Sequence, residues 1–285
     1  MASRVLSSRQ VKAKQKKPTR IQVERKPPAM FKPDEFPEGT PFSIEVAGEP
    51  DVGKTHFACT FPKPLVIDTE GKAWIVLKKF GHKYWKKVKT FDDIRQAVYW
   101  GIDSPEIETI VIDSGADLRE LAAREYMEEH GIEQIYPLVL WARVDDKIDE
   151  LVRAIKDADK YLVVTARMKD EYLGEQKTGR RVRDGYKKFP WDLSMGIIIR
   201  FGLEDPKTKK VLWPKHRFGI VTKNNFYGAD PKTGRTFQKP VLFDVSFEGV
   251  CEELLKPWHG EDGVPIGEEW DTIIRDFEEW LRRRG

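Results

Sequence analysis

The apolar residues of this chain gather into short runs separated by longer polar stretches. Residues 41–47 alternate and then turn apolar, while 64–67, 109–112 and 161–164 are nearly continuous apolar runs that end in polar or acidic residues. Runs this short read as strands, the continuous ones as strands buried on both faces of a parallel sheet. Ahead of the last of them Leu140, Val144, Ile148, Leu151, Val152 and Ile155 recur at helical spacing, which predicts a helix over 138–158. Strands alternating with helices predict an α/β fold with a mainly parallel, doubly wound central sheet. Further on, 195–203, 209–213 and 217–222 predict antiparallel additions, with Asp205 opening the first turn. Trp270, Ile273, Ile274, Phe277, Trp280 and Leu281 form one stripe, predicting a C-terminal amphipathic helix over 268–283 packed on the chain's own core.

Charge divides the chain. It has 285 residues and a formal net charge of +3, but residues 1–32 carry +9 and the remainder −6. Residues 1–38 therefore read as a basic, mostly disordered arm, either simply solvated or touching nucleic acid through counterion release. The remainder divides into a core over 39–230 and a C-terminal extension over 231–285. No run approaches the roughly 20 apolar residues that a bilayer span needs, so no membrane partner is expected. The two cysteines, Cys59 and Cys251, show neither disulfide nor zinc spacing, and the expected setting is reducing, intracellular and cytoplasmic.

The first strand runs into Gly48-Glu49-Pro50-Asp51-Val52-Gly53-Lys54-Thr55-His56. This is G-x-x-x-x-G-K-T between a strand and a helix start, the context a phosphate-binding loop requires. The glycines let backbone N–H groups turn toward phosphate oxygens, Lys54 brings a point charge to the β/γ-phosphates, and the Thr55 hydroxyl can hold Mg2+. Residues 48–56 are thus the candidate nucleotide-binding segment.

Two acidic strand ends complete the expected site. Ligands of open α/β sheets bind outside the carboxyl ends of the strands, so Asp113 is the natural acid to hold Mg2+ through water. Glu70 is the better candidate to orient or deprotonate an attacking water, and Asp68 reads as a loop or cap charge. Thr165 and Arg167, at the end of the fourth strand, are either γ-phosphate sensors or ordinary strand-end residues.

With G-E-P-D-V-G-K-T, V-I-D-T-E-G and I-V-I-D-S-G-A-D-L in that order, the chain resembles the RecA/RadA recombinase ATPase core over residues 40–230. Within that group it is most similar to the compact RecA-like ATPases of phages and archaeal viruses, some of them single-strand annealing proteins. The resemblance implies a RecA-like P-loop core, ATP rather than GTP, Glu70 as the catalytic glutamate and Asp113-Ser114 as the metal-side pair. It also implies that the segment after the fourth strand holds single-stranded DNA. Here that segment carries Lys169, Lys177, Arg180, Arg181, Arg183, Lys187 and Lys188, with Tyr172, Tyr186 and Phe189 to stack on bases. It reads as a mobile basic loop or as a β-hairpin with a solvated charge run.

Self-association into a filament or ring is implied too, with Lys223, or less favourably Arg217, reaching a neighbour's γ-phosphate, and a single-strand-binding protein is a possible partner. The family's F-x-x-A assembly motif is not found, and Arg167 stands near the place of its strand-end glutamine. The function so implied is Mg2+-dependent ATP hydrolysis acting on single-stranded DNA in recombination, annealing or replication. The alternatives are a small-molecule or nucleotide kinase, and a nucleotide-gated loader with little hydrolysis.

Overall fold

A computed structural model describes residues 40–136, 139–226, 239–255 and 269–284. The expectations for the basic arm lie outside the described residues.

The strands are β1 (Ser43–Gly48), β2 (Pro64–Asp68), β3 (Tyr84–Lys87), β4 (Thr109–Asp113), β5 (Tyr161–Leu173), β6 (Gln176–Asp184), β7 (Met195–Glu204), β8 (Val211–Asn224) and β9 (Val241–Leu242). Among the described residues they form one sheet in the order β3-β2-β4-β5-β1-β7-β8-β9, with β6 paired to the outer half of β5. From β3 to β7 every neighbouring pair is parallel, and β8 and β9 are antiparallel additions. This is the mainly parallel α/β fold expected. β5 lies between β1 and β4, so a side chain on it level with their carboxyl ends can reach both the glycine loop and Asp113.

Every residue of β1, β2 and β4 is buried, because helices cover both faces. Alternate side chains divide between two cores, as the two-residue period of a strand requires. Leu65, Ile67, Ile110, Ile112, Leu162 and Val164 pack beneath α3 (Phe91–Asp103), α4 (Leu118–His130) and α5 (Val139–Asp157). Ile44, Val46, Val66, Val111 and Val163 pack on the opposite face with α1 (Lys54–Ala58) and α2 (Trp74–Phe80). α1 is shorter than the motif suggests. Pro62 and Pro64 follow closely, and proline cannot continue a helix.

In three further places the structure decides between sequence readings or departs from them, each for a local cause. Of the two readings of the basic segment the hairpin is the one formed: β5 continues to Leu173, turns at Gly174 (φ 65°) and returns as β6. Exposed cross-strand charge pairs run along the hairpin, Lys169 to Asp184 at 2.8 Å, Lys177 to Asp170 at 2.8 Å and Arg181 to Asp170 at 3.0 Å. Next, β8 is one strand where two were expected, its apparent break being an irregular stretch with Trp213 at φ 47° before Pro214. Finally, Tyr186 and Phe189 cannot stack on bases, since they are 2% and 0% exposed within the core. After them comes a short α6 (Phe189–Asp192), and α7 (Phe247–Gly249) leads into a π turn over Val250–Leu254. The expected terminal helix is α8 (Glu269–Arg284), which buries Ile273 and Phe277 against Leu203, Phe218 and Phe243.

Candidate nucleotide site

The glycine loop joins the carboxyl end of β1 to α1. Gly48 is needed for close packing, since a methyl there would lie 2.7 Å from Val52 Cγ2 and 2.8 Å from the Ile199 carbonyl oxygen. Gly53 has φ 97°, a conformation that side-chain-bearing residues rarely adopt. Lys54 folds over the loop and donates to the carbonyls of Gly48 (3.0 Å) and Glu49 (2.8 Å). Burial pulls its pKa below the ordinary lysine value, against the opposing pull of Asp113 and Glu70. The ammonium thus lies among the loop, Asp113 and Glu70, where it can donate to phosphate oxygens in place of the carbonyls.

Asp113, at the end of β4, is 8% exposed. Thr55 Oγ1 donates to its Oδ2 at 2.7 Å, and Thr165 Oγ1, from β5, donates to its Oδ1 at 2.5 Å. Burial raises the Asp113 pKa, and the two hydroxyls work against that rise. A buried carboxylate beside a threonine hydroxyl is a hard-oxygen donor set that fits Mg2+ together with phosphate oxygens.

Glu70 stands beside this group on a loop that Asp68 organises. Fully buried, the Asp68 carboxylate accepts the backbone N–H groups of Glu70 (2.9 Å), Gly71 (2.6 Å) and Ala73 (2.8 Å) and the Trp85 indole N–H (3.0 Å). Asp68 is therefore a loop-organising charge. Thr69 donates to Asp117 at 2.7 Å and accepts the Ser114 N–H at 2.9 Å, tying this loop to the end of β4. Arg167 bridges Asp117 at 2.5 Å and Glu70 at 3.8 Å. Lys54, Thr55, Asp113, Thr165, Glu70 and Arg167 are thus brought to one place.

The other expected residues lie elsewhere or are otherwise engaged. Lys223 is opposite Gly196, which lies beside Glu45 in the first half of β1, and its ammonium donates to the carbonyls of Trp191 (3.1 Å) and Leu193 (2.6 Å). Burial lowers its pKa. Arg217, six residues back along β8, is at the loop instead: a methyl on Gly53 would lie 2.3 Å from its Nη1. Along with burial, its charge lowers the pKa of His56, whose Nδ1 is buried without a partner.

In the hairpin, Arg181 makes a two-point contact with Glu49 of the glycine loop at 2.8 and 2.9 Å, and Arg183 meets buried Glu45 at 2.6 Å. Lys188 pairs with Asp149 at 2.5 Å. Arg180 and Lys187 form no ion pair with a described residue.

Asp117 and Thr69 were missed in the sequence, and Arg217, named there only as the less favoured residue to reach a neighbour's phosphate, lies at its own chain's loop. Asp117 was signalled only by the second acid of I-V-I-D-S-G-A-D-L, and Arg217 only by the register of a strand whose partner is itself irregular.

A glycine loop between a buried parallel strand and a helix, with a lysine over the loop and a buried aspartate on the threonine, defines a P-loop nucleotide-binding protein. The family model for the AAA domain, a P-loop NTPase family, matches residues 40–226, and the chain belongs to that family. No curated protein matches the chain. Among the described residues no helix is long and apolar enough to cross a membrane.

Proposed function

We propose that the protein is a Mg2+-dependent ATPase of RecA-like kind that acts on single-stranded DNA in recombination, annealing or replication. The observation that carries the ATPase part is the bracketing of Asp113 by Thr55 and Thr165, with Glu70 delivered from the next strand over. Bound Mg2+ would neutralise charge on the β- and γ-phosphate oxygens, and Thr55 and Asp113 are the residues to hold it. Lys54 binds phosphate oxygens, and Glu70, held by the Asp68 loop and the Arg167 contact, orients water and accepts its proton. That the second acid comes from the end of β2, rather than from beside Asp113, supports the RecA-like reading.

The DNA part is supported by the hairpin, which rises from the strand that carries Thr165. Arg180 and Lys187, which form no ion pair with a described residue, and Tyr172, 54% exposed beside Lys177, are the side chains to meet a strand there. Arg181 places the hairpin one ion pair from Glu49 of the glycine loop. Self-association would let Lys223 act on a neighbour's nucleotide, since in its own chain it lies away from the loop.

Binding of a fluorescent ATP analogue, followed by hydrolysis with and without Mg2+, tests the nucleotide reading. Lys54→Ala is expected to weaken binding about tenfold or more, as removal of one member of a charge-assisted pair does, and to abolish turnover. Equal binding by both proteins would overturn the reading.

A further inference from the structure

Most basic side chains of the hairpin are neutralised within the chain, but those of another surface are not. Between Gly71 and Phe91 the sequence holds seven lysines and neither Asp nor Glu. All seven are exposed, and none forms an ion pair with a described residue. They lie on and around α2 and β3, at the end of the sheet, where β3 has β2 on one side and no described strand on the other.

Aromatic rings stand among them. Trp74 is 50% exposed and Trp85 38%, and on α3 across the edge Trp100 is 49% exposed. The Trp85 ring is fixed by its N–H bond to Asp68. Trp100 lies 5.5 Å from the Tyr84 ring, and these two, with Lys83 and Lys86, line a groove of about 320 Å3. The acids nearest the groove are already engaged: Asp93 accepts the N–H groups of Lys89 and Thr90, and Glu106 accepts the Tyr84 hydroxyl.

Unpaired ammonium groups interleaved with exposed rings match what an unpaired nucleic-acid strand offers, phosphates alternating with free base faces. A duplex hides its base faces, and an acidic peptide would use the lysines but leave the rings without a stacking partner.

We propose that the α2–β3 edge binds single-stranded nucleic acid, with phosphates on the lysines and bases stacked on Trp74, Trp85 and Trp100. This rests on the nucleic-acid reading above and moves the main grip from the hairpin to the sheet edge. The edge adjoins the Glu70 loop. The carboxylate that receives the Trp85 N–H also receives those of Glu70 and Gly71, and a methyl on Gly71 would lie 2.8 Å from Lys87 Nζ. A strand on this edge therefore touches the loop that carries the candidate base.

The test is fluorescence anisotropy of a labelled oligothymidylate with the full-length protein at several salt concentrations. Lys83→Gln, Lys86→Gln and Lys87→Gln together should weaken binding more than tenfold and reduce the salt slope by about 2, at ~0.7 for each phosphate that is no longer neutralised. Trp74→Ala, at an exposed position, should weaken it about fivefold or more. Retained binding of a fluorescent ATP analogue shows that the triple variant is folded, and if it is not, Trp74→Ala decides alone. Wild-type affinity and slope in the edge variants, with weakened binding in a Lys177→Gln, Arg180→Gln hairpin variant, would overturn this inference and leave the DNA reading standing. No binding by the wild-type protein would overturn the DNA reading itself. Displacement of the oligonucleotide by polyglutamate at equal charge concentration would reassign the edge to an acidic peptide.

Discussion

Two buried carboxylates on neighbouring parts of the sheet are handled differently. Asp113 is held by two hydroxyls and lies beside the loop lysine, the environment of a group that shares a cation with phosphate. Glu45 is 5% exposed, is paired with Arg183 alone, and has no part in the nucleotide site. Burial pushes its pKa from 4.5 to about 7, against the pull of Arg183. The folded protein then keeps a proton that the unfolded chain releases near pH 4.5, so the associated stability is whole below that pH. It is lost as pH rises to about 7, roughly 3 kcal/mol at about 1.4 kcal/mol per unit. Thermal melts of Glu45→Gln should therefore vary less than wild type between pH 4.5 and 7, and parallel curves would contradict the assignment. Lys54, Thr55 and Asp113 were legible in the sequence because a short motif and a strand end fix their neighbours. Asp117 and Arg217 were not, because their positions depend on which strands become neighbours and in what register.

At the scale of elements, composition left the hairpin undecided. Seven basic residues with scattered glycines suited a mobile loop or a hairpin, and it is the hairpin that forms, with Asp170, Asp184, Glu45 and Glu49 pairing with most of that charge. Apart from the buried Glu45–Arg183 pair these are exposed, and exposed pairs contribute little to stability. Arg181→Ala should leave the denaturant unfolding midpoint close to that of wild type, and a marked drop would mean that the Glu49 pairing braces the glycine loop. The opposite holds for α8, whose Phe277 is fully buried among Trp213, Phe218 and Phe243. Phe277→Ala should cost about 3 to 5 kcal/mol, measured the same way, whereas a near-neutral change would detach α8 from the core. The α8 stripe was legible because a helical face needs only its own spacing. β3 and α2 escaped notice because an exposed, lysine-rich edge strand has no apolar period to betray it.

Across the whole molecule, the sheet order links the candidate nucleotide site to two basic surfaces. With β5 between β1 and β4, Thr165 closes on Asp113 beside the glycine loop, and the hairpin continues the same strand outward. With β2 beyond β4, Glu70 enters from the far side on a loop shared with the lysine-rich edge. On the proposed reading the nucleotide site therefore has a nucleic-acid candidate surface on either side of it, one adjoining the glycine loop and the other the Glu70 loop. The general fold could be read from four apolar runs, but this arrangement required knowing that β5 separates β1 from β4. The most direct test is steady-state ATP hydrolysis by wild type and Glu70→Gln, with and without single-stranded DNA, alongside their affinities for ATP. The account predicts DNA-stimulated turnover in the wild type and, in Glu70→Gln, ATP affinity within about twofold of wild type but turnover lower by about 100-fold or more, the scale of a missing general base. Wild-type turnover in Glu70→Gln, or turnover indifferent to DNA, would contradict it.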